Sequence, residues 1–164
     1  ERLLTIRGSD SVELATLSLQ ALPGNLPNPQ SINFQNQVEF VGYELEERLV
    51  SPGEHLSLTL YWRGQQDLDV NYSVFAHLRG KGMSLWGQHD SWPSDGAAPT
   101  STWGRGQVVE DTHIITVAPD TPPGTYTLEV GLYDDSGLRL QVINSEGRWT
   151  ENFVDLSRVR VVES

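Results

Sequence analysis

From Leu56 to Trp62 every second residue is large and apolar: Leu56, Leu58, Leu60 and Trp62 fall on one side, with Ser57, Thr59, Tyr61 and Arg63 on the other. Only an extended chain separates neighbouring side chains in this way, so the stretch is read as a half-buried β-strand. The turn formers Ser51-Pro52-Gly53-Glu54 introduce it. The same device recurs at Pro122-Pro123-Gly124, which leads into Tyr126, Leu128, Val130 and Leu132, opposed by Thr127, Glu129, Gly131 and Tyr133. A third run sets Val70, Tyr72, Val74, Ala76 and Leu78 against Asn71, Ser73, Phe75, His77 and Arg79.

Elsewhere the pattern is less regular. Val38 and Phe40 share a face with Tyr43 and Leu45 only if the alternation slips by one near Val41-Gly42, which predicts a β-bulge at the glycine. From Gln107 to Val117, Val109, Asp111, His113 and Ile115 oppose Val108, Glu110, Thr112 and Ile114. Asp134-Asp135-Ser136-Gly137 reads as a hairpin connection into a strand from Leu138 to Val142, and Ser157 to Val162 supplies a last strand. Leu3 to Arg7 and Val12 to Leu19 read as two strands ahead of a Pro- and Asn-rich crossing between Ala21 and Gln30. No stretch sustains a 3.6-residue period between capping signals. The fold class expected is therefore all-β, an antiparallel two-sheet β-sandwich of immunoglobulin-like or jelly-roll type.

At 164 residues the chain fits one domain over 1–164, with residues 1–30 lending strands and a crossing to a main sandwich over 31–164. It has no cysteine, so neither a disulfide framework nor a thiolate metal site is available. The net charge of -11 repels phosphate backbones and anionic membrane surfaces, which argues against nucleic acid as a partner. No apolar run approaches the roughly 18 to 20 residues that span a bilayer, so no direct membrane insertion of this segment is expected. The start, ERLLTIRGSD, has neither an initiator Met nor the regions of a signal peptide, and is read as part of a longer protein.

Ser84 to Gly106 departs from strand patterning and reads as a long loop. It holds Trp86, Trp92 and Trp103 among Pro93, Gly96, Pro99 and Gly104. An indole there either anchors the loop on the sandwich or offers a flat face to the apolar side of a pyranose, while Asp, Asn, Gln or His side chains bind its hydroxyls. Trp103, just before the turn into a strand, is read as an anchor. Trp86 and Trp92 are the candidate sugar platforms, with His89, Asp90 and Asp95 as their polar neighbours. A nucleophile elbow is absent, and the consecutive residues His89, Asp90 and Ser91 project in different directions and so form no triad by adjacency. Asp111 and His113 share a strand face, with His77 on a nearby strand. No third ligand completes a metal set, and a solvated sheet face is the expected setting of the pair. Asp90 and Asp95-Gly96 lack EF-hand spacing. The sequon Asn71-Tyr72-Ser73 lies inside an expected strand and is discounted. No catalytic residue, metal or cofactor is assigned.

The succession VEFVGYELEERLVSPGEHLSLTLYWRG, YSVFAHLRG, GQHDSWP, APTSTWGRGQVVEDTHIITV and PPGTYTLEVGLYDDSGLRL, within Asn33 to Glu163, resembles a known family. That family is the C-terminal β-sandwich domain of bacterial membrane glycosyltransferases similar to dolichyl-phosphate-mannose-protein mannosyltransferases. The resemblance implies a non-catalytic accessory module on the extracytoplasmic face of the bacterial membrane. Its implied partners are the membrane portion of the same parent protein and a glycan or lipid-linked saccharide. The catalytic acids of such transferases lie in the membrane part, so none is carried onto this chain. The alternative is a structural or protein-interaction sandwich without a ligand.

Overall fold

The computed structural model describes residues 25–163, which form two five-stranded sheets packed face to face. In chain order the strands are β1 (Ile32–Phe34), β2 (Val38–Leu45), β3 (Leu49–Val50), β4 (His55–Gly64), β5 (Ser73–Arg79), β6 (Leu85–Ser91), β7 (Val108–Thr116), β8 (Gly124–Tyr133), β9 (Val142–Ile143) and β10 (Val154–Val161). One sheet runs β9-β1-β2-β4-β7 and the other β3-β10-β8-β5-β6. Neighbours are antiparallel except β3 and β10, which pair in parallel through Leu49 with Arg160 and Val50 with Val161. The expected all-β sandwich is what the chain forms. The expected strands Leu3 to Arg7 and Val12 to Leu19 lie outside the described residues.

Alternation dictates which residues meet between the sheets. Leu56, Leu58, Leu60 and Trp62 of β4 are all buried, as are Tyr126, Leu128, Val130 and Leu132 of β8. Trp62 lies at the centre, tilted against Phe40 with ring centroids 5.2 Å apart and edge-on to Phe34 at 6.0 Å. The bulge predicted in β2 is present: the register with β4 shifts between Phe40 and Gly42, so Val38, Phe40, Tyr43 and Leu45 all reach the core. Glycine is required there, since a Cβ on Gly42 would stand 2.8 Å from the carbonyl oxygen of Pro27.

Four expectations are corrected. Leu85 to Ser91 is a strand, not loop, because it pairs with β5 along the sheet edge. Asp111 and His113 lie on the buried face of β7, since they oppose Leu60 and Leu58 of β4. β5 begins only at Ser73, which leaves Asn71 ahead of it with its side-chain oxygen accepting from the Ser101 amide at 3.0 Å. Of Leu138 to Val142, only Val142 belongs to a strand, β9 (Val142–Ile143), which joins β1 at the edge of the opposite sheet. β5 is in addition covered on both faces. Phe75 is fully buried on the outer side under Arg139, whose guanidinium carbon lies 4.1 Å from the ring centroid.

Candidate functional site

The run Gln88-His89-Asp90-Ser91 at the edge of the second sheet is where the expected site residues are placed, and its strand conformation distributes them to opposite faces. His89 opposes Ala76 and points between the sheets; Asp90 opposes Phe75 and points outward. The two side chains therefore belong to different environments.

On the inner side a hydrogen-bonded chain runs from the core to the surface. Asp111, fully buried, accepts from the indole of Trp62 at 3.1 Å, from the backbone N–H of Ser94 at 2.8 Å and from His113 Nε2 at 2.7 Å. A carboxylate needs donors, so the proton of His113 is assigned to Nε2 and its Nδ1 accepts. His89 Nδ1 then donates to His113 Nδ1 at 2.8 Å, and His89 Nε2 lies 3.4 Å from the exposed carboxylate of Asp95. The short 3-10 turn Pro93–Gly96 closes over this chain, with Ser94 Oγ donating to the carbonyl of Glu110 at 2.7 Å. No hydroxyl is hydrogen-bonded to either imidazole among the described residues. The geometry is a polar clasp between two sheet edges and lacks the nucleophile of an acyl-transfer set.

On the outer side His77 Nε2 donates to Asp90 Oδ1 at 3.1 Å and Tyr133 Oη donates to Asp90 Oδ2 at 3.0 Å. Burial by itself pushes the Asp90 carboxyl up, but the bonds from His77 and Tyr133 outweigh it and hold the group below its ordinary value. Burial and the facing Asp90 raise the Tyr133 phenol. Beside this cluster Arg79 Nε donates at 3.0 Å to Glu129, whose side chain is buried. Among the described residues no group of three or more His, Asp or Glu could hold a metal ion.

The tryptophans divide by exposure. Trp103 is buried and its indole N–H donates to the carbonyl of Ala98 at 2.9 Å. Trp86 is half-buried, edge-on to Tyr126 with centroids 6.4 Å apart, its N–H donating to Ser84 Oγ at 3.0 Å. Trp92 is 43% exposed. Of the five expected platform residues, the structure brings His89 and Asp95 together, turns Asp90 to the other face, and seats Trp86 against the core. Trp149 is the most exposed indole at 58%, and sequence reading passed over it. It borders a groove of about 710 Å³ with Gln35, Leu138, Arg139, Gln141 and Asn152. All but Gln35 fall between residues 137 and 152 but share no recognisable motif; the one local hint is a tryptophan in the polar stretch Asn144 to Thr150.

No protein-family model matches the chain, and no curated protein matches it. Among solved structures it is similar to the C-terminal domain of Wzt, with a TM-score of 0.52 and 13% identity over 92% of this chain and 90% of that one. The CARDB domain of a Pyrococcus furiosus protein, solved in complex with di-metal ions, gives a TM-score of 0.43 at 12% identity over 92% of this chain and all (100%) of the other. Spo0M, a sporulation control protein from Bacillus subtilis, gives 0.38 at 15% identity over 82% and 50% of the two chains. Those last two likenesses are too weak to argue from. What the likeness to the Wzt domain shows is the fold, a β-sandwich.

Proposed function

We propose that this chain is a non-catalytic, extracytoplasmic saccharide-contacting module, attached to a membrane glycosyltransferase-like parent. The observation that carries the reading is the unequal treatment of its indoles. Trp62 and Trp103 are 0% and 4% exposed, whereas Trp92 and Trp149 stand 43% and 58% exposed. Burying an aromatic side chain stabilises a fold by about 2 to 3 kcal/mol, so two open indoles forgo a gain that the same chain takes elsewhere. A flat aromatic face beside polar side chains is suited to the apolar side of a pyranose. The sandwich likeness to the Wzt domain is in keeping with a module of this kind, and the attachment and location rest on the sequence resemblance.

No helix among the described residues is long and apolar enough to cross a membrane, so the membrane portion in this reading lies in the parent protein. The test is a glycan array probed with the wild-type chain and with the double variant Trp92→Ala/Trp149→Ala. Selective saccharide binding that disappears in a folded double variant supports the reading. Binding to no saccharide, or binding unaffected by removing both indoles, refutes it.

A further inference from the structure

The excursion between β8 and β10, residues 134–153, is built from two similar turns. Asp134 Oδ1 accepts from the backbone N–H groups of Ser136 and Leu138 at 2.9 and 3.0 Å. Asn144 Oδ1 does the same for Glu146 and Arg148, both at 2.9 Å. Each turn has a glycine in the left-handed region, Gly137 at φ 87° and Gly147 at φ 80°, where a side chain would be strained. The first turn delivers Arg139 opposite Tyr133 and the second delivers Trp149 opposite Ile143. Pairing of β9 with β1 brings the β1–β2 turn alongside, and with it Gln35. Gln35 itself is held at φ 54°, a conformation that disfavours a side chain, and its Oε1 accepts from the Gln141 N–H at 2.8 Å.

The groove is rich in open donors. The acceptor oxygens of Gln35 and Asn152 each take one bond, the latter from Arg139 Nη1 at 3.3 Å, and the side-chain amide of Gln141 makes none among the described residues. Among the described residues Gln35 Nε2, the Trp149 N–H and the remaining guanidinium N–H groups of Arg139 have no protein acceptor. Arg139 also makes no ion pair among the described residues, and no carboxylate lines the groove, although the chain carries a net charge of -11. Its guanidinium sits over the Phe75 ring, its carbon 4.1 Å from the centroid, and a guanidinium offers the planar fork that bidentate recognition of a carboxylate uses. A site with an unpaired guanidinium, spare donors, no carboxylate and an open indole suits a ligand that accepts hydrogen bonds, carries negative charge and has a flat apolar face.

We propose that this groove binds an acidic saccharide, with Trp149 under a hexuronate ring and Arg139 on its carboxylate. The proposal rests on the saccharide-module reading and narrows it to one site and one ligand class. Calorimetric titration with an oligogalacturonate and with its fully methyl-esterified counterpart tests it, because the ester keeps the ring and removes the charge. The acid is expected to bind, with Trp149→Ala abolishing binding and Leu49→Ala, an exposed position outside the groove, leaving it unchanged. Esterification, or Arg139→Gln in the protein, should weaken binding about tenfold or more, the usual effect of losing a charge-assisted pair. Arg139→Lys keeps a cation above Phe75 but loses the fork, and should fall between wild type and Arg139→Gln; it also covers the case in which Arg139→Gln fails to fold. Equal binding of acid and ester overturns the acidic class while the saccharide-module reading survives. Binding lost in Trp92→Ala and kept in Trp149→Ala overturns the groove as the site. Failure of both oligosaccharides to bind overturns the groove proposal, and the broader reading then stands or falls on the array.

Discussion

His89 Nδ1 lies 2.8 Å from His113 Nδ1, and this bond joins the edge strand of one sheet to the edge strand of the other. With the His113 Nε2–H assigned to Asp111, His113 Nδ1 accepts this bond, and Asp111 in turn is held by Trp62 and the Ser94 amide. Buried polar groups of this kind are tolerable when every member is satisfied and costly when one is not.

Asp111→Asn should therefore destabilise the fold sharply. One carboxylate oxygen would become an NH2 group, setting a donor against either the Ser94 N–H or the Trp62 and His113 donors. A loss of about 2 to 4 kcal/mol is expected, read as a lower urea midpoint with an unchanged slope. A midpoint equal to wild type would show that Asp111 does not hold the three donors.

Two outer-face carboxyls should act in opposite senses with pH. Asp90 is held below its ordinary value of 3.8, against the opposing effect of burial, by its bonds from His77 and Tyr133. Its contribution is thus fully present above that value and is lost as pH falls through the lower, folded-state value. Asp155 is shifted the other way, by burial first and then by Glu129 and Glu151, so its ionised form weakens the fold at neutral pH. Denaturation from pH 7 down to pH 3 should show Asp90→Asn less stable than wild type at neutral pH, with the gap closing in acid. Asp155→Asn should be more stable than wild type at neutral pH, its advantage also vanishing in acid. Reversed signs would contradict the assigned surroundings.

Gly131→Ala should be destabilising although the residue sits in a regular strand. A Cβ there would stand 2.4 Å from Phe75 Cζ, and Phe75 is itself pinned beneath Arg139. The expected cost is about 1 to 3 kcal/mol by thermal or urea denaturation, as for other overpacked sites. An alanine variant as stable as wild type would mean that Phe75 is free to move aside.

Much of this architecture is legible from alternation alone. β4 and β8 bury the faces their apolar residues mark, and the slip at Gly42 shows in the sequence as a break in phase. β6 is not legible in the same way. Among its inward positions are Gly87 and His89: the first is small because Ile115 and the Thr116 carbonyl crowd it, and the second is polar because it meets His113. Asp111 and His113 mislead for a related reason. Two polar residues on one strand face suggest water, yet here each satisfies the other away from it. The Trp149 groove lies further from reach, since Gln35 and Gln141 meet only through the pairing of β9 with β1.

The central claim, that surface indoles contact saccharide while buried ones hold the fold, is tested most directly by the five indole N–H signals in a 1H–15N spectrum. During titration with an oligosaccharide that the array identifies, the signal of Trp149, Trp92 or both should shift with saturation. Those of Trp62 and Trp103, bonded to Asp111 and Ala98, should stay in place. Saturable binding that moves neither exposed indole would contradict the account.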